Sequence, residues 1–162
     1  MRGVYMTSFF EQTIAAASGD YDFFEFDPAA DEPIELVGLF LGNKSEVGDA
    51  QEEMVSYSVW RCSGGTFTSG NGSAGGEDPT DDQDEVGSYV SETVGSTPAT
   101  SSGTLTQLHQ DTFNIRTGLQ VIWPPDMRIK CSGAANSAMG VRLRTALADD
   151  AVFSGTAYVG QR

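Results

Sequence analysis

Lysine occurs only twice in this sequence, at Lys44 and Lys130, and histidine once, at His109. Nucleic-acid binding needs clustered Lys and Arg to neutralise phosphates, so a net charge of −14 argues against it. The same charge argues against adsorption to anionic membranes. A cupin-like metal site needs two or more histidines, more than this chain has. Cysteine is almost as scarce, since Cys62 and Cys131 are too few for a disulfide framework. In a reducing cytoplasm we expect both to pack as small apolar thiols, while a single bridge between two strand ends stays open. Long apolar runs are missing as well. No segment approaches the roughly 18 residues that span a bilayer, and "MRGVYMTSFF" carries no apolar stretch of an export signal. We therefore expect a protein made in the cytoplasm, with neither membrane nor nucleic acid as partner.

Helical periodicity is absent too, and so is any internal repeat, which argues against βαβ architectures. What the 162 residues do contain is 19 glycines, many Ser and Thr, and short apolar or alternating segments between turn residues. Such a balance favours strands over helices. The segments 4–17, 21–28, 34–43, 54–62, 85–94, 104–118, 119–125, 127–133, 139–147 and 151–160 read as strands, spaced as in a sandwich or barrel. The fold expected is all-β: one β-sandwich domain over residues 1–162, jelly-roll-like or a related Greek key, with nine to ten strands. In "IELVGLFLGN" both faces are apolar, Ile34, Leu36 and Phe40 against Val37, Leu39 and Leu41, as in a strand covered on both sides. One helical turn is expected over 45–54, with Asp49 capping it and Glu52 reaching back.

Between two strands lies "SGGTFTSGNGSAGGEDPTDDQDE", residues 63–85, which ends with six carboxylates in nine residues. Asp78, Asp81, Asp82, Asp84 and Glu85 are weak candidates for calcium ligands, because the D-x-[DN]-x-[DN]-G order is missing. Like-charged segments without aromatics are usually solvated. The stretch thus reads as a flexible inserted loop that contacts another chain or stands in solvent, and no metal or cofactor is expected. His109 with Asp111 resembles half of a catalytic pair, yet no G-x-S-x-G elbow accompanies it and no carboxylate spacing singles out a glycosidase pair. A structural histidine and no enzymatic activity are the expectation.

The remaining candidates are interface residues. Adjacent Phe23 and Phe24 place their rings on opposite faces of a strand, so one of them is expected under a partner, with Phe26, Leu39 and Phe40 nearby. Trp123, before Pro124 and Pro125, is expected to be half exposed. Charge is polarised, at net −16 over residues 1–100 and +2 over 101–162. Arg128, Arg142 and Arg144, read as outward-facing on their strands, are expected to meet the acidic half of an adjacent copy.

The segments "DFFEFDPAADEPIELVGLFLGNKSEVGDAQEE", "LHQDTFNIRTG", "WPPDMRIKCSG" and "MGVRLRTALADDAVFSGTAYV" resemble small β-sandwich proteins encoded among the virion structural genes of tailed bacteriophages and prophages. The likeness runs over most of the chain and includes the Gly/Ser loop after "VSYSVWR". It implies a head-accessory (capsid decoration) protein on the outer surface of a virion. Its partners would be the major capsid protein or other virion proteins, and it would form a homo-oligomer, often a trimer. It brings no catalytic residues. A tail or fibre component and a carbohydrate-binding adhesin module are the alternatives.

Overall fold

The computed structural model describes residues 3–45, 53–81 and 85–162. Among them run fourteen strands: β1 (Gly3–Ile14), β2 (Tyr21–Pro28), β3 (Ile34–Asn43), β4 (Met54–Ser63), β5 (Phe67–Thr68), β6 (Ser73–Ala74), β7 (Asp78–Pro79), β8 (Tyr89–Gly95), β9 (Thr100–Ser101), β10 (Thr104–Asn114), β11 (Leu119–Ile122), β12 (Ile129–Cys131), β13 (Ala138–Leu143) and β14 (Ala151–Gln161). A 3-10 turn, Pro125–Met127, separates β11 from β12. Ten of these strands have three residues or more, and four have two. The helical turn expected around Asp49 rests on residues 46–52, which lie outside the described residues.

All pairings are antiparallel. The first sheet has the order β11-β3-β14-β1-β7, with β12 also on β3, and the second has the order β10-β4-β13-β2-β8-β6. Four ribbons, β1/β14, β2/β13, β3 with β11 and β12, and β4/β10, alternate between the two sheets. That winding is a jelly roll. Residues 64–103 form an insertion between β4 and β10, and its strands join the body: β8 on β2, β6 on β8 and β7 on β1.

The core between the sheets is rich in aromatic rings. Phe9 lies 5.2 Å from Phe24, and Phe23 meets Phe153 edge-on at 5.3 Å. Each such pair contributes about 0.5–1.5 kcal/mol beyond the area it buries. Bulges decide which residues reach this core. Phe23 and Phe24 do not face opposite ways, because Val141 pairs with Phe24 and Arg142 with Asp22, leaving Phe23 as the extra residue of a bulge. Phe23, Phe24 and Phe26 are therefore all fully buried in their own chain. A second bulge, at Val37 of β3, has the same effect. It turns Ile34, Leu36, Leu39 and Leu41 inward together, so β3 is not apolar on two faces in the register that strict alternation gives.

Candidate functional site

The outer face of the β4/β13/β2 sheet is covered by the chain's own insertion. Trp60, Asp22 and Arg142 all point out of this sheet. A Cβ on Gly140 would fall 2.6 Å from the Trp60 ring, so only glycine lets the indole lie against β13. The Arg142 guanidinium carbon sits 5.3 Å from the centroid of the Trp60 ring. Trp60 Nε1 donates to Asp22 Oδ1 at 3.2 Å, and the backbone N–H of Ala99 donates to Oδ2 at 2.7 Å. Arg142 Nη2 in turn donates to the Ala99 carbonyl at 2.8 Å. Ala99 belongs to the insertion, so this network fastens the insertion to the sheet. Arg142 faces outward as expected but is not exposed, because the insertion covers it and it is paired within its own chain.

The Gly/Ser stretch lies against the body rather than standing out from it. Buried Glu25 accepts hydrogen bonds from Ser69 Oγ and from the N–H of Gly70, the latter at 3.0 Å. Glu92 accepts from the Gly72 N–H, and Glu77 from Ser91 N and Oγ at 2.9 and 2.6 Å. A side chain at Gly70 would meet the Thr97 carbonyl at 2.4 Å, so glycine permits the close approach. Burial raises the Glu25 carboxyl above its usual value, against those hydrogen bonds. Asp78, Asp81 and Glu85 are exposed, and Asp82 and Asp84 lie outside the described residues. Among the described residues, no three His, Cys, Asp or Glu side chains gather as a metal-binding set.

The opposite face, outside β3, β14 and β1, has no such cover among the described residues. Phe10 is 74% exposed and Ile122 70%. Phe40 and Tyr158 lean edge-on at 5.6 Å, both half-buried. A bulge opposes Phe10 and Glu11 of β1 to Ser154 alone. Beside Phe10 opens a cleft of about 600 Å³, walled by Ser8, Phe40, Arg116, Gln120 and Thr156. At the β12 side of the same face stands Glu35, 1% exposed. Arg128 Nη1 lies 2.7 Å from Glu35 Oε1, and Arg162 Nε 2.9 Å from Oε2. Burial by itself would raise this carboxyl, but the two guanidinium groups outweigh it and hold it below the usual value. Exposed Lys130 pairs with Glu35 across β12/β3, and Arg61 Nη1 donates to the Lys130 carbonyl at 2.7 Å. Four of the nine Lys and Arg of the chain thus collect at one edge.

Of the expected interface residues, the structure leaves Phe40 and Arg128 on this face and buries Phe23, Phe24, Phe26, Leu39 and Arg142. Arg144 is exposed but held by Asp20 at 2.6 Å. Trp123 is 5% exposed rather than half exposed, because its ring closes the sandwich edge against His109, edge-on at 5.6 Å. His109 Nε2 is also 3.1 Å from the Tyr57 hydroxyl, so its contacts join two core aromatics. Burial, and then the Asp111 charge, push that hydroxyl up to about 12. Cys62 and Cys131 are buried free thiols, and Met127 is exposed. Phe10, Ile122, Arg61 and Arg162 were not singled out from sequence. The one signal for Phe10 was its position next to Phe9, which puts one of the two rings outside unless a bulge intervenes.

No family model matches the chain, and neither a curated protein nor a solved structure matches it.

Proposed function

We propose that this chain is a non-enzymatic virion structural protein, a capsid decoration protein that binds the outer surface of a capsid as an oligomer. One observation carries the reading. The two outer faces of the sandwich are treated differently: the β4/β13/β2 face is covered by the parts of the insertion around Phe67, Ser69, Gly70 and Ala99, whereas the β3/β14/β1 face keeps Phe10 and Ile122 open to solvent. Phe10 and Ile122, with half-buried Phe40 and Tyr158 on the strands between them, give this face the apolar surface that a protein–protein contact uses. The likeness to phage virion proteins supplies the kind of assembly. On a lattice each copy can bind weakly, because many equivalent sites raise the overall avidity.

The test mixes purified protein with capsids assembled without it, then sediments the particles. The protein is expected in the particle fraction, and Phe10→Ser with Ile122→Ser is expected to reduce its share while leaving the far-UV circular dichroism unchanged. Wild-type protein that stays in the supernatant at every ratio sinks the reading.

The cleft beside Phe10 favours one second reading, a glycan-binding module, because hydroxyl, amide and guanidinium groups surround an exposed ring there. Binding on a glycan array that Phe10→Ala abolishes would select it. Trp123, expected from sequence to be half exposed, is buried and cannot serve as a sugar platform.

A further inference from the structure

We infer that the occupant of the open β3/β14/β1 face is a second copy of this chain, stacked face to face about a two-fold axis parallel to the strands. The inference rests on the reading of this face as an assembly surface and adds the partner and its orientation. The sheet order places β14 in the middle, β12 on one side and β7 on the other. The two sides, about 19 Å apart at ordinary strand spacing, carry opposite charge. On the β12 side Arg128 and Arg162 hold the Glu35 carboxylate, and exposed Lys130 stands opposite Glu35 on the neighbouring strand. Exposed Asp78 and Asp81 lie on the β7 side.

Both groups stand at the same height on the sheet. Thr80 donates to Val4, Val4 pairs with Gly160, Gly160 with Glu35, and Glu35 with Lys130. Both also point the same way. Asp78 pairs with Met6 and Lys130 with Glu35, and cross-strand partners share a face.

This pattern selects one arrangement. A two-fold axis perpendicular to the strands would lay the basic side of one copy on the basic side of the other. An axis parallel to β14 lays basic on acidic twice, and brings Phe10 of β1 over β3 of the partner copy, the strand that carries Phe40. Around the rings of Phe40 and Tyr158 the middle of the face carries small residues, Gly38, Gly42, Ser154, Thr156 and Gly160, which leave room for a facing sheet. The net charge of −14 repels copies that meet at random, so association depends on the one region where bases collect.

The experiment is light scattering on the wild-type protein, on Lys130→Glu and on Asp78→Lys, each alone and then the two variants mixed. A wild-type dimer is expected. Each variant alone is expected to dissociate roughly tenfold or more readily, since Lys130→Glu cancels the net positive charge of the basic side and Asp78→Lys the net negative charge of the acidic side. Mixing restores a heterodimer, because the acidic side kept by Lys130→Glu then meets the basic side kept by Asp78→Lys. That rescue cannot come from misfolding. A wild-type monomer, a wild-type trimer, or variants that dimerise as before would each overturn the two-fold pairing. Co-sedimentation with capsids is read separately. A monomer that still binds capsids removes this inference and keeps the decoration reading, and a dimer that ignores capsids does the reverse.

Discussion

Arg142 and Asp22 form a two-pronged ion pair almost out of reach of water, with Nε 2.6 Å from Oδ1 and Nη2 2.9 Å from Oδ2. The pair connects β13 to β2 and, through Ala99, connects both to the inserted segment. A buried pair of this kind is costly to break from one side, because the remaining charge keeps its desolvation and loses its partner. Arg142→Met should therefore lower unfolding stability by about 3–5 kcal/mol. The double variant Arg142→Met with Asp22→Leu should lose clearly less than the sum of the single changes. Urea titrations of the four proteins measure the coupling. Additive losses would mean that the pair is not the fastening of the insertion.

Gly140 offers a steric test of the same region. A methyl group there would sit 2.4 Å from the Phe24 carbonyl oxygen as well as against the Trp60 ring, and a backbone atom cannot swing aside. Gly140→Ala should cost about 1–3 kcal/mol through overpacking. Gly42→Ala, where nothing lies within 4 Å, should stay within about 0.5 kcal/mol of wild type. Thermal melts of the two variants side by side separate the clash from a general intolerance of alanine in strands. Equal losses would sink the packing argument.

How much of this was legible in the sequence follows from where strict alternation holds. β14 and the inner positions of β4, Val55, Tyr57 and Val59, keep a period of two, so there alternation alone marks the buried side chains. The all-β sandwich was likewise readable from strand spacing and turn residues, whereas the strand order that makes it a jelly roll was not. Alternation fails at Phe10–Glu11, Phe23, Val37 and Leu108, where a bulge admits an extra residue. Each bulge shifts the side chains beyond it to the other face, and nothing in local composition announces it. The roles of Arg142 and Glu35 were hidden for another reason. Their partners lie 120 residues away at Asp22 and 93 residues away at Arg128, so only the folded sheet brings them together. The Gly/Ser stretch reads as a flexible loop because several of its contacts are made by backbone N–H groups, which every residue but proline possesses.

Two buried carboxylates should pull the pH dependence of stability in opposite directions. Burial raises Glu25 above its usual 4.5, so the unfolded chain ionises first. The stability supplied by its neutral form is fully present below 4.5 and is lost as pH rises through the higher folded value. Glu35 is held below 4.5, so its contribution is present above 4.5 and is lost as pH falls through the lower folded value. Glu25→Gln should flatten the loss of stability on the alkaline side of 4.5. Glu35→Gln should weaken the protein most at neutral pH and converge on wild type in acid. Urea midpoints between about pH 3 and pH 7 read both slopes. A Glu25→Gln curve parallel to wild type throughout would show that burial does not control this carboxyl.

The two cysteines give the last test. Cys131 lies in β12 and Cys62 in β4, one in each sheet, and both are buried free thiols. Burial pushes the Cys131 thiol up to about 12, helped by the neighbouring Cys62, and burial also raises Cys62. The thiolate is the reacting species, so at pH about 8 the folded protein holds almost none of it at Cys131. A thiol reagent should then modify neither residue on mixing, and both should react at a rate that rises with added urea, because access requires opening of the sandwich. Cys131→Ala should remove one slow equivalent and leave the other slow. A rapid burst of one equivalent in the folded protein would mean that this edge of the sandwich opens without unfolding, and it would make the β4–β12 contact a local hinge rather than part of the rigid core.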